Sequence, residues 1–221
     1  MSHQAQLVTV ATIFIMTYGI IISEKINRTK IAFIGAIAMI VFKILNLDEA
    51  FLAIDFHTIS LLIAMMIIVN ILKTTGLFQY LAIKAAKLAK GDPWKILIML
   101  SIVTAVASGL LDNVTTVLLI APVTLVLTDT LKINPIPYMI ALILASNIGG
   151  TATLIGDPPN IMIGGEAGLG FMDFIKNLTP IAILIFVVTF FFMKLIYKKQ
   201  LHVKDELKAK ISKFDEEKTL T

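Results

Sequence analysis

The chain is a series of apolar runs, each near the length of a membrane-crossing helix, separated by short polar segments. One helical crossing takes ~20 residues. Hydrophobic residues make up 57% of the 221 residues and charged residues 15%, against roughly 45–50% and 25% in soluble domains. These proportions predict an integral membrane protein with room for about six or seven crossings or half-crossings.

The order of these runs predicts an all-α polytopic membrane protein whose transmembrane part covers residues 1–197. Four runs are continuous, and two longer stretches are interrupted by polar or helix-breaking residues. Such a break is tolerated in a bilayer where it lines a cavity or is paired by protein. The predicted elements are spans at 7–22, 31–45, 58–72 and 178–197, a hairpin at 94–127 and a broken helix at 136–160.

The hairpin stretch is interrupted by Asp112 and Asn113. Its second arm, residues 114–127, is short for a full crossing, which favours a re-entrant hairpin with its tip inside the membrane. A carboxylate at the bilayer centre costs at least ~2.5–3.5 kcal/mol, so it usually faces protein, water or an ion. Asp112 is therefore the predicted coupling carboxylate.

The second break, "SNIGGTATLIGDPPN", covers residues 146–160 and also combines an asparagine with nearby hydroxyls. In transporters with discontinuous helices, unwound carbonyls and side-chain oxygens bind a cation, while helix N-termini face an anion. Two such tips near the midplane predict one substrate and ion site. Its candidate residues are Asp112, Asn113, Thr115, Thr116, Ser146, Asn147, Gly149, Gly150, Thr151, Asp157 and Asn160.

Sodium is one predicted coupling ion for this site, with oxygen ligands from Asn113, Thr115, Asn147 and Thr151, and the proton is the other. No further cofactor is expected. The alternative for the asparagines and threonines is hydrogen bonding between helices, and for the glycines close helix packing. Asp157 is the second candidate carboxylate, although "GDPPN" is also typical of a turn in which the aspartate bonds nearby amides.

The distribution of lysine predicts the orientation in the cell membrane. With the N-terminus outside, most loop lysines lie inside, and residues 198–221 form a charged cytoplasmic linker or tail. Residues 76–90, with Lys84, Lys87 and Lys90 on one side, predict a basic amphipathic helix on the membrane surface. The net charge of +4 is explained by these lysines, so nucleic acid is not an expected partner.

Several kinds of site are disfavoured by the composition. The chain has no cysteine, so disulfides and thiolate metal sites are excluded. His3, His57 and His202 lie far apart in sequence, and no nucleophile and base arrangement is evident, so an enzyme is not expected. The glycine-rich segment 164–170 is not a phosphate-binding motif, because no strand precedes it and it holds no phosphate-binding lysine. A flexible outer loop is predicted instead.

The motif "LLDNVTTVLLIAPVT", followed about thirty residues later by "SNIGGTATLIGDPPNIMI", resembles the first half of the ion transporter superfamily. It is most similar to the branch of the P protein, the arsenical pump membrane protein and the NhaD-type sodium/proton antiporters. Citrate transporters and divalent anion/sodium symporters are related to this branch. The similarity in the order of elements covers essentially the whole chain.

The resemblance implies an elevator-type carrier in which hairpin and broken helix form half of the site. Asn113 and Thr115 correspond loosely to the symporters' Ser-Asn-Thr hairpin signature, whereas Ser146, Asn147 and residues 149–151 match the second signature better. Asp112 replaces a neutral residue of the symporters, which suits proton coupling or antiport. The expected function is secondary transport of a small anion, such as arsenite or a carboxylate, or sodium/proton antiport.

The chain contains one hairpin and one broken helix, whereas carriers of this class usually combine two inverted repeats. A second inverted half, or a homo-oligomer, is therefore an expected partner besides the bilayer and a small ion. A dual-topology homodimer is disfavoured because the lysine bias is one-sided. The alternative from a different class is a non-transporting membrane subunit, or a truncated fragment, that only assembles with a partner half.

Overall fold

A computed structural model describes residues 3–201 and 203, and every regular element within them is helical. The all-α prediction is confirmed. The helices are α1 (His3–Ile22), α2 (Arg28–Val41), α3 (Leu47–Leu52), α4 (Phe56–Thr74), α5 (Leu77–Leu88), α6 (Pro93–Ser108), α7 (Asn113–Leu131), α8 (Ile136–Thr151), α9 (Pro158–Ala167) and α10 (Phe171–Tyr197), followed by a 3-10 turn at Lys198–Gln200.

The chain divides into two compact units, residues 1–56 and 57–221. In the first unit α1 packs against α2. Asn27 caps α2 by accepting from the Thr29 and Lys30 amides. The predicted span 31–45 is too long at its end, because α2 stops at Val41 and Lys43 takes the left-handed conformation with φ 55°.

Among the residues that the structure describes, three helices are long and apolar enough to cross a membrane: Gln4–Ile22, Asn113–Leu131 and Phe171–Tyr197. Thr58–Thr74 and Leu77–Leu88 form a pair bent by 58°, which adds a fourth crossing if the pair acts as one span. The predicted spans at 7–22 and 58–72 therefore fall within observed helices. α6 and α8, with 16 residues each, are ~24 Å long.

Helix α5 differs from the predicted surface helix. Its buried face is formed by Phe78, Ala82, Ala85 and Ala86, and it packs against α6 and α7. The leucines that define the apolar side in the sequence, such as Leu88, are exposed. Small side chains on the buried face allow the close approach of helices, so one face of α5 packs within the protein, and its location on the membrane surface stays a prediction.

Helices α6 and α7 form the predicted hairpin, with a break at residues 109–112. The predicted end of the second arm at residue 127 is wrong, because α7 continues through Thr128 and Asp129 to Leu131 and has 19 residues. Thr128 donates to the Leu125 carbonyl, and Lys132 pairs with Asp129 at 2.9 Å. Local bonds of this kind keep the polar end helical. Re-entrance of the hairpin stays a prediction.

The predicted broken helix is observed as α8 and α9, separated by residues 152–157. The segment 164–170 is not an entire loop, since Gly164 and Gly165 lie in α9 and only Gly168, with φ 63°, ends the helix. The last span begins at Phe171 instead of residue 178, which places Pro180 inside α10. The predicted tail lies outside the described residues after position 203, and residue 202 is also outside them.

Three contacts gather the ends of α6, α8 and α10 at one end of the second unit. The Tyr138 hydroxyl donates to the Pro93 carbonyl at 2.7 Å. The Lys194 ammonium lies 5.7 Å from the centre of the Trp94 ring. The Asn134 amide lies 3.4 Å from the Gln200 side-chain oxygen. Both the hairpin tip and the α8 break therefore lie at the opposite end of α6 and α8.

Candidate functional site

The hairpin tip is organised by Asp112, which is the N-cap of α7. Its Oδ1 accepts the Thr115 backbone N–H at 2.8 Å, and its carbonyl accepts the Thr116 hydroxyl at 2.9 Å. An aspartate at this position satisfies an otherwise unpaired helix amide and favours the helix dipole. The carboxylate predicted as the coupling group therefore has a structural partner in this conformation.

This arrangement leads to a first prediction for Asp112. Asp112→Asn should retain most of the stability because asparagine caps equally well, whereas Asp112→Ala should lose about 1 kcal/mol. Thermal unfolding of the detergent-solubilised protein measures the difference. Equal losses in the two variants would show that the negative charge, and not the capping bond, is what the tip requires.

The break between α8 and α9 is held by side chains that replace the missing helical bonds. The Asn160 amide donates to the carbonyls of Thr151 at 3.2 Å and Thr153 at 2.8 Å. The Thr179 hydroxyl donates to the Ala152 carbonyl at 3.0 Å. The Thr153 hydroxyl donates to the Gly109 carbonyl and accepts from the Gly156 amide. The break is thus a defined structure tied to the hairpin tip and to α10.

Glycines at the break allow backbones to meet. A Cβ on Gly149 would overlap the Ala105 carbonyl of α6. A Cβ on Gly156 would lie 2.5 Å from the Gly150 oxygen and 2.8 Å from the Ser108 oxygen. These contacts support close helix packing as the role of Gly149 and Gly156. The same packing brings the Ser108 carbonyl of α6 and the Gly150 carbonyl of α8 close to Gly156.

The two asparagines predicted to share a site are in direct contact. The Asn113 amide donates to the Asn147 side-chain oxygen at 3.0 Å, across 34 residues of sequence. The Asp157 carboxylate, which precedes α9, interacts with the Asn113 side chain. Asp157 makes no side-chain cap bond to α9. The two tips therefore meet at Asn113, Asn147 and Asp157, and we call these three residues the tip cluster.

Other predicted site residues are engaged within or between helices. The Thr116 hydroxyl is fully buried, and the Thr151 hydroxyl donates to the Asn147 carbonyl at 2.8 Å. Ser146 is buried, donates to Ile143 and accepts the Ser108 hydroxyl on its carbonyl at 2.7 Å. Thr115 is partly buried beside Asp112. Of the predicted sodium ligands, Asn113 and Asn147 are joined by a hydrogen bond between their side chains.

The donor set around the tips fits a hard cation. Side-chain oxygens of the tip cluster and the backbone carbonyls near Gly156 are the oxygen ligands that such ions prefer. The C-terminal ends of α6 and α8 add partial negative charge at the same place. Within the described residues, no three His, Cys, Asp or Glu side chains are grouped to hold a metal.

Sequence reasoning did not select Ser108, Thr153 or Thr179 as site residues, although they connect the tips. Ser108 ends an apolar run, where a buried hydroxyl is hard to separate from an ordinary small residue. Thr179 lies 27 residues from Ala152, and no local pattern predicts that contact. Asn160, predicted as a binding residue, donates its side-chain amide to two carbonyls of the break, and its role in binding stays a prediction.

The sequence pattern of the citrate transporter family matches residues 18–218. The chain belongs to the citrate transporter family. The match covers both tips and most of the helices, and it confirms the resemblance to the ion transporter superfamily. Membership places the chain in a family of membrane transporters.

Curated relatives agree with the family assignment. The "46 kDa membrane protein" of Mycobacterium leprae is 45% identical over 213 residues, which are 95% of this chain and 50% of the relative. An "uncharacterized transporter" of Mycobacterium tuberculosis is 49% identical over 184 residues, 81% of this chain and 43% of the relative. The P protein of Homo sapiens is 40% identical over 201 residues, 86% of this chain and 24% of the relative. The chain thus spans about half, or less, of the length of these relatives.

Proposed function

We propose that the chain carries one half of the substrate and coupling-ion site of a secondary transporter, formed at the tip cluster. The observation that carries the proposal is the hydrogen bond between Asn113 and Asn147, which joins the start of α7 to the last turn of α8 in a membrane protein. Asp157 adds a carboxylate that does not cap a helix. Polar groups inside the membrane are costly and mark ion or substrate pathways.

The lengths of the helices support a tip inside the bilayer. α6 and α8 extend ~24 Å from the end that holds Trp94 and Tyr138, which is less than the ~30 Å hydrocarbon core. α10, with 27 residues, is ~40 Å long and crosses it fully. If the Trp94 end lies at one interface, the tip cluster lies inside the hydrocarbon core and does not reach the opposite interface.

The proposed substrate is a small anion such as a carboxylate or arsenite, with sodium or protons as the coupling ion. The side-chain oxygens of Asn113 and Asn147 would contribute to holding sodium, which would offset the charge of Asp157 and of an anionic substrate. The start of α7 offers backbone amides at Asn113 and Val114, whose partial positive charge suits an anion. No enzymatic step is assigned to the chain.

Sodium/proton antiport is the second candidate, and a specific feature of α9 favours it. This helix begins with Pro158 and Pro159, which have no N–H to donate to an anion. The adjacent Asp157 carboxylate instead suits a cation or a proton. Among the two acidic candidates, Asp157 is therefore the better coupling group, and Asp112 serves mainly as a helix cap.

Flux into proteoliposomes tests these functions. The chain would be reconstituted alone and together with the second half of the Mycobacterium leprae relative, under imposed sodium or proton gradients. Uptake of citrate or arsenite that requires both parts supports the half-carrier hypothesis, and sodium-driven proton movement without an anion supports antiport. Robust coupled transport by the 221-residue chain in a single orientation would refute the half-carrier hypothesis. Gradient-independent behaviour in every arm would refute secondary transport and leave the non-transporting subunit.

The proposed orientation places the Trp94 end at the cytoplasmic face of the cell membrane, with the N-terminus outside. That end carries Lys95, Lys132, Lys194 and Lys198, which suits the positive-inside rule. Because the chain has no cysteine, single substitutions can be labelled uniquely. Lys95→Cys should react with an impermeant maleimide only after permeabilisation, and Glu166→Cys in intact cells. The reverse pattern would invert the assignment.

A further inference from the structure

A groove of 420 Å³ runs along α6, α8 and α10, between the tips and the Trp94 end. Its volume lies in the ~300–1,000 Å³ range of small-molecule sites. The lining is apolar, and its two threonines, Thr153 and Thr179, already donate their hydroxyl hydrogens to backbone carbonyls. An occupant of this groove must therefore be apolar.

The groove is open to the surroundings of the protein and not enclosed in its core. Val106 is 63% exposed and Ile183 60% exposed, and both line it. Exposed apolar side chains on a helix long enough to cross the membrane, such as α10, are accessible to acyl chains. The groove therefore takes its occupant from the bilayer.

Helices α6 and α10 run antiparallel along the groove, as their facing residues show. Gly109 and Thr179 lie at its tip end and Ile102 and Phe186 at its other end, while Trp94 contacts Lys194 beyond it. Eight residues separate Phe186 from Lys194, which corresponds to ~12 Å along the helix. A charged and aromatic pair thus lies at the membrane-surface end of the same helix pair.

We propose that the α6–α8–α10 groove binds one acyl chain of an anionic phospholipid whose headgroup contacts Lys194 beside Trp94. Charge complementarity favours an anionic headgroup, because the exposed lysines Lys95, Lys194 and Lys198 lie near this end, and Asp92 there is turned to cap α6. Tryptophan is typical of the headgroup level. The groove does not include the tip cluster, so this site is separate from the proposed transport site.

The lipid tail would contact the backbone that shapes the break. Gly109, Gly149 and Ala152 form the inner part of the groove, and the hydrogen bonds of Thr153 and Thr179 hold this backbone in place. An acyl chain in this place adds dispersion contacts to the groove side of these segments. Bound lipid should therefore stabilise the junction of hairpin and broken helix.

The test measures lipid binding to the purified full chain by the rise in its thermal unfolding midpoint as lipid is titrated. Dioleoyl phosphatidylglycerol should stabilise the wild type more than dioleoyl phosphatidylcholine. Lys194→Gln should weaken the affinity for phosphatidylglycerol about fivefold, because one lysine near an anionic headgroup contributes this much to binding. Lys176→Gln, a matched loss of an exposed lysine near the other end of α10, should leave it unchanged.

Two further arms address the acyl chain. Dihexanoyl phosphatidylglycerol has the same headgroup but tails too short to fill the groove, so it should stabilise the protein much less. Ile183→Phe, on the rim of the groove, should reduce the preference for the long-chain over the short-chain lipid. The control Lys176→Gln should leave this preference unchanged. Equal effects of the two tail lengths, equal effects of the two lysine variants, or no preference for the anionic lipid would each overturn the proposal.

Discussion

Gly149→Ala is expected to destabilise the protein strongly, although it adds only one methyl group. The new Cβ would overlap the Ala105 carbonyl where α8 crosses α6. Because the obstacle is backbone and not the end of a flexible side chain, relief requires the two helices to separate. Overpacking in a well-packed core costs ~1–3 kcal/mol and occasionally more, and we expect the upper part of that range.

Gly165→Ala is the matched control for this change. Gly165 is also helical, but nothing lies within 4 Å of a Cβ built on it. Alanine is the better helix former by ~1 kcal/mol, so this variant should be as stable as the wild type or slightly more stable. Unfolding midpoints in detergent compare the two. If both variants unfold at the wild-type temperature, the close crossing of α6 and α8 is incorrect.

Loss of either tip asparagine is the change expected to affect function most. In Asn113→Ala and Asn147→Ala the contact between the two tips disappears, together with one side-chain oxygen of the proposed site. A hydrogen bond to a charged group contributes ~1.5–3 kcal/mol, which corresponds to about a tenfold to hundredfold loss of affinity for the ion or substrate. Ion-dependent flux, or protection by sodium against thermal unfolding, provides the measurement.

The control is Asn177→Ala on α10, where the exposed amide donates only to the Asp173 carbonyl at 2.7 Å. Membrane insertion and ion dependence should both be unchanged in that variant. If Asn113 and Asn147 serve one site, the double variant should lose little more than either single variant, since residues in contact are not additive. Full additivity, or unchanged ion dependence in both single variants, would refute a shared site.

The meeting of the two tips was predictable because each asparagine lies at an interruption of an apolar run. The role of Asp112 was also within reach of the sequence. An aspartate directly before an apolar helical run is typical of an N-cap. The Asp112 carboxylate accepts the Thr115 backbone N–H in this way. Its position in an apolar stretch instead favours an interpretation based on its charge.

Asp157, unlike Asp112, does not cap its helix with its side chain, and the sequence contains the reason. An N-cap side chain bonds to the N–H of the second or third helical residue, and the second residue of α9 is Pro159, which has none. The Asp157 carboxylate has lost one of two possible capping partners, and it interacts with Asn113 of the hairpin instead. The contact itself spans 44 positions of the chain, and local patterns do not predict contacts at that range.

Helix ends were the least predictable part of the fold. Polar residues such as Asp129 predict the end of a span, yet α7 continues to Leu131 because local side-chain bonds support it. The start of α10 at Phe171 is not predicted because Pro180 suits the first turn of a helix, whereas it lies inside α10. Hydropathy identifies which segments are apolar, whereas the ends depend on capping and packing.

The crossing of α6 and α8 also constrains how the protein is made. Ala105 leaves the ribosome well before Gly149, and at ~5–20 residues per second the roughly 44 positions between them take about 2–9 s. During that interval the Ser108 hydroxyl, which is fully buried in the finished fold and donates to the Ser146 carbonyl of α8, does not yet have this partner. We therefore expect the contact between α6 and α8 to form only after α8 has been synthesised.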